Sequence, residues 1–421
     1  MSPLNNCSRR AFLSASAASL AAPRLLAARP AAANDKFTTL INMLGGNDAL
    51  NTLIPTRLQA YGDQRPTLKI APGAGLSLDA GPYPTSDYVL HPSLRTLARL
   101  YRAGSVAFVR LVGYPTPNQS HFLSQAVWSR GYRADLPPDS GWIARYKDIY
   151  APDPISVVAL GLGGQLDFLG GTTPSTFTLT PLAGGARNPY EFRGDIRYPA
   201  NDRLRHQLAE RIANVAKAEA HVERARLAQV AMYEQQRRAR GVISPPPPVR
   251  PVYPTGELGF VLSESAMMLR REQAVKIFYA LGGNAQSFDT HYQQGTIDGR
   301  HATSLRIIDE ALDPYATELQ QMGVWNRAAI VLLSEFGRRN RENGDGTDHG
   351  DAGLMILVGG AIRGGMYGPD LTEAHVRAGS LPLAVDFRTV YEEMLARHFE
   401  VDSAPVFTEA YARQPALGLF L

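Results

Sequence analysis

"FTTLINMLGGNDALN", Phe37–Asn51, decides the fold. Its first part, Phe37–Leu44, is an apolar run without strict alternation of apolar and polar residues. Such a run suits a strand covered on both faces, as in a parallel sheet. Gly45-Gly46 stops it, and an acid, Asp48, comes at once.

The same unit recurs along the chain. In "HPSLRTLARLYRAGSVAFVRLVGYP", Leu94, Leu97, Leu100 and Tyr101 have helical spacing, Gly104 ends the helix, and Val106–Val112 is the next strand. "QAVKIFYALGGNAQSFDTH", "NRAAIVLLSEFG" and "GLMILVGGAI" supply further central strands. Strands alternating with helical patterns predict a doubly wound α/β fold, its sheet mostly parallel with helices on both faces. Two stretches interrupt this rhythm. Residues 134–200 are rich in Gly, Pro and Thr and read as an irregular cap. Residues 201–255 read as a helical insertion, charged and Ala-rich to Arg240, closed by the Pro-rich linker "SPPPPVRPVYP" at Ser244–Pro254.

Residues 1–33 stand apart. "SRRAFL", Ser8–Leu13, puts Arg9 and Arg10 before a short apolar stretch, and Ala31–Ala33 suits a signal peptidase. The adjacent arginines resemble a twin-arginine export signal, and a Sec signal or a basic tail is the plainer alternative. The expected location is therefore periplasmic or otherwise exported, with the twin-arginine translocase as a partner during export. The segment holds four arginines (Arg9, Arg10, Arg24, Arg29) and no acid, so the formal +4 charge belongs to it and residues 34–421 are near neutral. The basic isoelectric point is thus no argument for nucleic acid. Cys7, the single cysteine, lies there too, which leaves residues 34–421 without disulfide or thiol chemistry. No window reaches about 18 strongly apolar residues, so stable membrane insertion is not expected.

Ligands of open α/β sheets bind beyond the carboxyl ends of the strands. Asn47 and Asp48 lie past the first strand; Thr116, Asn118, Ser120 and His121 lie past Val106–Val112. Asp289 and His291 come after Val275–Leu281, and Glu335 comes after Ile330–Leu333 on a loop that ends in Asp348-His349. Carboxylates and imidazoles gathered at one edge suit a divalent metal of the zinc or manganese type, with magnesium or calcium for an oxygen-rich site. Singly, such an acid is a turn residue and such a histidine a packed one. Ser120 begins a helical pattern, where free N–H groups favour an anion; it is either an N-cap or a nucleophile. Arg338 and Arg339 either grip a phosphate or sulfate or pair with Asp345 or Asp348. Asn47 and Asn118 are further donors to such an anion, or turn residues.

"GGNDALN", "NQSHF", "SFDTH", "SEFGRR", "GTDHG" and "VDFRTVYEEML" resemble an exported bacterial family of unknown function placed in the alkaline phosphatase/sulfatase superfamily. The resemblance spans nearly all of residues 34–421. It implies an alkaline-phosphatase-like fold and one or two metal ions, with Asp48 and Glu335 on one, and Asp289, His291 and His349 on the other. It implies Ser120 as nucleophile, or Thr116 if "TPN" is the matching motif, with His121 beside it. Phe336 stands where the superfamily has a histidine ligand, which His121 would replace unless the site holds one ion. The expected activity is metal-dependent hydrolysis or transfer of a phosphate or sulfate ester, small or polymeric. The alternative is a non-catalytic, metal-stabilised binding or assembly factor working with a second exported protein. A formylglycine sulfatase is excluded, because residues 34–421 contain no cysteine and no Ser-x-Pro-x-Arg.

Overall fold

The computed structural model describes residues 35–131, 140–153, 156–160, 177–179, 249–270, 275–282, 288–408 and 411–421. The chain divides into Met1–Ala33 and Asn34–Leu421, and every element below lies in the second unit. The arginine pair at Arg9-Arg10 and the helical insertion up to residue 248 lie outside the described residues.

The strands are β1 (Phe37–Asn42), β2 (Leu53–Pro55), β3 (Leu76–Leu78), β4 (Thr85–Leu90), β5 (Val106–Gly113), β6 (Val157–Leu160), β7 (Phe177–Leu179), β8 (Ile277–Leu281), β9 (Ala328–Leu333), β10 (Gly353–Val358), β11 (Gly365–Tyr367) and β12 (Val385–Asp386). β2, β3 and β4 make a small antiparallel sheet. The others form one large sheet in the order β11-β5-β10-β9-β1-β8-β6-β7, with β12 also on β5. The fold is α/β with a mixed, mostly parallel sheet: β10 alone runs against its neighbours β5 and β9.

The apolar runs result from burial on both faces. Phe37 and Ile41 of β1 face one core with Phe278, Ala280, Ile330 and Leu332, under the helices Glu257–Leu269 and Arg300–Gln321. Leu40 faces the other with Ile277, Tyr279, Val331 and Leu333, under Trp142–Tyr150 and Phe387–Glu393. Each fully buried Leu, Ile or Val contributes about 1.5–3 kcal/mol of transfer free energy, so both faces must stay apolar.

The cap expected over 134–200 is corrected where it is described. Trp142–Tyr150 is a helix of the second core, and β6 and β7 extend the main sheet beyond β8. Strands of four and three residues are too short for Gly- and Thr-rich flanks to reveal by periodicity. Among the described residues no helix is long and apolar enough to cross a membrane.

The reversed β10 matters for the site. Its first residue, Gly353, pairs with Val112 near the end of β5, so β10 begins at the edge where β1, β5, β8 and β9 finish. The loop leaving β9 therefore returns to the same edge. Its two arms are zipped by Gly337 N to Asp351 O, Gly350 N to Gly337 O and Arg339 N to Asp348 O.

Candidate metal centre

The ends of β5 and β8 and the entry to β10 bring His121, Asp289 and His349 together. Ligand atoms of these three lie within 4.8 Å of one another. Asp289 comes after β8, held by Phe288 N donating to Leu44 O of the loop after β1. Here the double glycine is required. Gly45 has φ +112°, and a Cβ on it would lie 2.2 Å from Asp289 N; a Cβ on Gly46 would meet the Phe336 ring at 2.7 Å.

His349 Nε2 is 3.1 Å from Asp289 Oδ1. His291 Nε2 is 3.1 Å from the same oxygen and 2.9 Å from His349 Nε2. His121 Nε2 is 3.5 Å from Asp289 Oδ2. It is buried and makes no hydrogen bond. The far side of each ring is anchored. His121 Nδ1 donates to Glu335 Oε1 at 2.8 Å, His291 Nδ1 to Asp348 Oδ1 at 3.0 Å, and His349 Nδ1 to Gln119 O at 2.8 Å. An imidazole whose Nδ1 proton faces an acceptor offers its Nε2 lone pair to a cation, and a coordinated histidine is oriented in this way. The donor set and the orphaned Nε2 of His121 fit a divalent ion.

Electrostatics reinforce the arrangement. Burial would raise the Asp289 carboxyl, yet the His121 and His349 imidazoles and the Arg338 guanidinium beside it hold it well below the usual carboxylate range. Burial would lower the His121 imidazole, yet the Asp289 and Glu335 carboxylates beside it win and push it up to about 9. A cation bound at Nε2 displaces that proton, because metal and proton compete for one lone pair.

Other expected site residues take different places. Asp48 caps the helix Ala49–Thr52 and is not among the three converging groups. Its Oδ1 accepts from Leu50 N and Asn51 N, and its Oδ2 takes Gln294 Nε2 at 2.6 Å and the Arg65 guanidinium. Burial works against its charge, and Arg65 still keeps its pKa lowered. Glu335 is 1% exposed and lies outside the converging group. It accepts from Gly45 N, His121 Nδ1 and Gln125 Nε2, so it supports His121 rather than joining the donors. Phe336 fills the space beside them, its ring centroid 4.6 Å from His349 and 5.0 Å from His121.

Arg338 is turned into the protein. Its buried guanidinium donates to Gly46 O, Thr347 O, Gly45 O, Phe288 O and Asp289 Oδ1, stapling three loops. Arg339 is half-buried, and no described residue accepts a hydrogen bond from its guanidinium. Asn47 is buried, its Oδ1 facing Thr52 Oγ1 and His301 Nε2. Asn118 accepts from Ser120 N, forming the turn before the helix His121–Arg130. Thr116 is exposed at φ +51°, its hydroxyl turned to Pro115 O. Ser120 stands at the N-cap of that helix without a capping bond.

Sequence reasoning missed Gln119, Gln125, Arg65 and Gln294. Gln125 lies one turn after His121, a spacing that places both on one helix face. Gln119 acts through its backbone carbonyl, which no side-chain pattern can announce. Arg65 and Gln294 carry no local signal.

Residues 199–405 match the family model DUF1501, a protein of unknown function. That span contains Asp289, His291, Glu335 and His349; His121 and Ser120 precede it. No curated protein matches the chain. Among solved structures, the chain is similar to the phosphonate monoester hydrolase of Agrobacterium radiobacter, at 8% identity over 90% of this chain and 79% of that one, TM-score 0.38. It is also similar to the PsFucS1 sulfatase from Pseudoalteromonas sp., at 8% identity over 86% and 67%, TM-score 0.35. A third likeness is to a protein in the alkaline phosphatase superfamily from Vibrio parahaemolyticus, at 9% identity over 90% and 71%, TM-score 0.33.

Proposed function

We propose that the protein is an exported, metal-dependent hydrolase or transferase acting on a phosphate or sulfate ester. The observation that carries this is a set of imidazole and carboxylate donors, one of which, His121, directly follows an uncapped serine at a helix start. His121, the residue after Ser120, belongs to the donor set, so the hydroxyl and the cation site share one turn of chain. Ser120 is favoured over Thr116, whose hydroxyl is bonded to its own neighbour.

When bound, a divalent ion supplies Lewis-acid stabilisation of developing negative charge. Ser120 Oγ forms a bond to phosphorus or sulfur as the ester oxygen departs and is protonated by solvent, the serine proton passing to water. The N–H groups opening the helix His121–Arg130 face the anion. Water, or an acceptor hydroxyl, then cleaves the seryl ester and restores the serine. Export rests on the Arg9-Arg10 pair.

Aryl phosphate, aryl phosphodiester and aryl sulfate are to be assayed with the full chain supplied with zinc or manganese. Ser120→Ala is expected to lose turnover at least about a thousandfold, with Thr116→Ala close to wild type. Turnover of none of the three esters, or full activity in both variants, overturns the reading. The hold of Arg65 on Asp48 favours the second reading, a non-catalytic metal-stabilised factor that works with a second exported protein. A chain that binds metal but turns over no ester is its expected result.

A further inference from the structure

We propose that the centre is built for a single divalent ion held by His121, His291, His349 and Asp289, and that Arg65 neutralises Asp48 in place of a second cation. The proposal rests on the metal half of the functional reading and not on its ester chemistry.

The first support is orientation. Three Nδ1 atoms face acceptors at 2.8, 3.0 and 2.8 Å, supplied by Glu335, Asp348 and the Gln119 carbonyl. All three Nε2 atoms therefore turn lone pairs toward one carboxylate, at 3.5, 3.1 and 3.1 Å. Two of them stand 2.9 Å apart, a separation bridged either by a proton on one ring or by a cation that both lone pairs meet. His291 adds a fourth donor to the three groups that converge most tightly.

The second support is the lack of donors for another ion among the described residues. Asp48 is 1% exposed, and both its oxygens are engaged by Arg65, Gln294 and two backbone N–H groups. A buried carboxylate matched by a guanidinium needs no metal for charge balance. Glu335 Oε1 is already shared by three donors, and Oε2 lies 3.2 Å from Ser334 Oγ. Phe336 brings no donor atom and packs against two of the imidazoles.

The donor chemistry also selects the ion. Three imidazoles with one carboxylate suit zinc, cobalt, iron or manganese, whereas magnesium and calcium prefer all-oxygen sites.

The test uses the full chain stripped with chelator and titrated with Zn2+ or Co2+. Ions per chain are counted by mass spectrometry after gel filtration, and Co2+ is also read by its visible d–d spectrum. One ion per chain is expected, with no retention of Mg2+ or Ca2+. His121→Gln and His291→Gln are each expected to change the Co2+ spectrum and weaken binding. Glu335→Gln is expected to weaken binding about 10–100-fold while keeping the coordination spectrum, as an outer partner would. Two ions per chain, no ion at all, or an unchanged spectrum in His121→Gln overturns the proposal. The wild-type stoichiometry decides even where a variant fails to fold. A one-ion chain without ester turnover would refute the function and leave this centre standing; a two-ion chain with turnover would do the reverse.

Discussion

Arg338→Met should loosen the whole site from beneath. The Arg338 side chain is fully buried and donates to carbonyls of Gly45, Gly46, Phe288 and Thr347 as well as to Asp289. Methionine keeps most of the apolar stem and removes every donor. Removing one partner of a fully buried ion pair costs about 3–5 kcal/mol, and less here because the Asp289 side chain is 24% exposed. Each buried carbonyl left unpaired adds roughly 1–3 kcal/mol, but these losses overlap, and relaxing loops will admit water. A net loss of about 4 kcal/mol is the working figure, which for a folded unit of this size lowers the melting temperature by roughly 5 °C. The assay is calorimetric melting of the wild type, Arg338→Met and Arg338→Lys. Lysine restores charge but not the planar fork, so it should recover only part of the loss. Metal affinity should fall in step, because Asp289 loses the bond that aims it. An Arg338→Met protein that melts within about 1 °C of wild type would refute the idea that one guanidinium clamps three loops.

Two further predictions reach other parts of the molecule. Gly45→Ala forces a side chain onto a backbone at φ +112° and against Asp289 N at 2.2 Å, so it should weaken metal binding by more than about tenfold, equivalent to about 1.4 kcal/mol; isothermal titration giving wild-type affinity would count against it. Burial pushes His398 down to about 4 despite its bond to Phe37 O, so the folded state prefers it neutral. The unfolded chain binds the extra proton between about pH 6.5 and 4. Its contribution, about 3 kcal/mol from that shift, is thus complete above pH 6.5 and lost as pH falls toward 4. His301, lowered to about 3 by burial, adds in the same direction. Urea midpoints at pH 7.5 and 5 should therefore converge in His398→Asn relative to wild type, and an unchanged gap would exclude His398 as a source.

The strands were readable because their faces are both covered, which turns β1, β9 and β10 into apolar runs. The polar groups just past those strand ends pointed to the edge where His121, Asp289 and His349 converge, since the strand ends of a mostly parallel sheet share one edge. Direction was less legible. An apolar run has no sense of travel, and so the reversal of β10, which returns His349 to the edge, is a tertiary fact. Arg338 was less legible for a related reason: beyond a strand end it looks free to meet an anion until the bare carbonyls around two glycines show where its donors go. Asp48 looked like a ligand until Arg65 arrived from a separate element, seventeen residues on. The Gly- and Thr-rich stretch hid β6 and β7 because short strands can be set by their neighbours instead of by their own residues.

The donors enter on the ends of β5 and β8 and at the start of β10, so no fragment of the chain owns the centre. An ion that binds there recognises only the finished sheet. By linkage it stabilises the complete fold alone, by about 4 kcal/mol at a thousandfold excess over its dissociation constant. The centre would thus act as a proofreading lock on assembly, withholding its stabilisation from any chain in which one of these three strands is out of place.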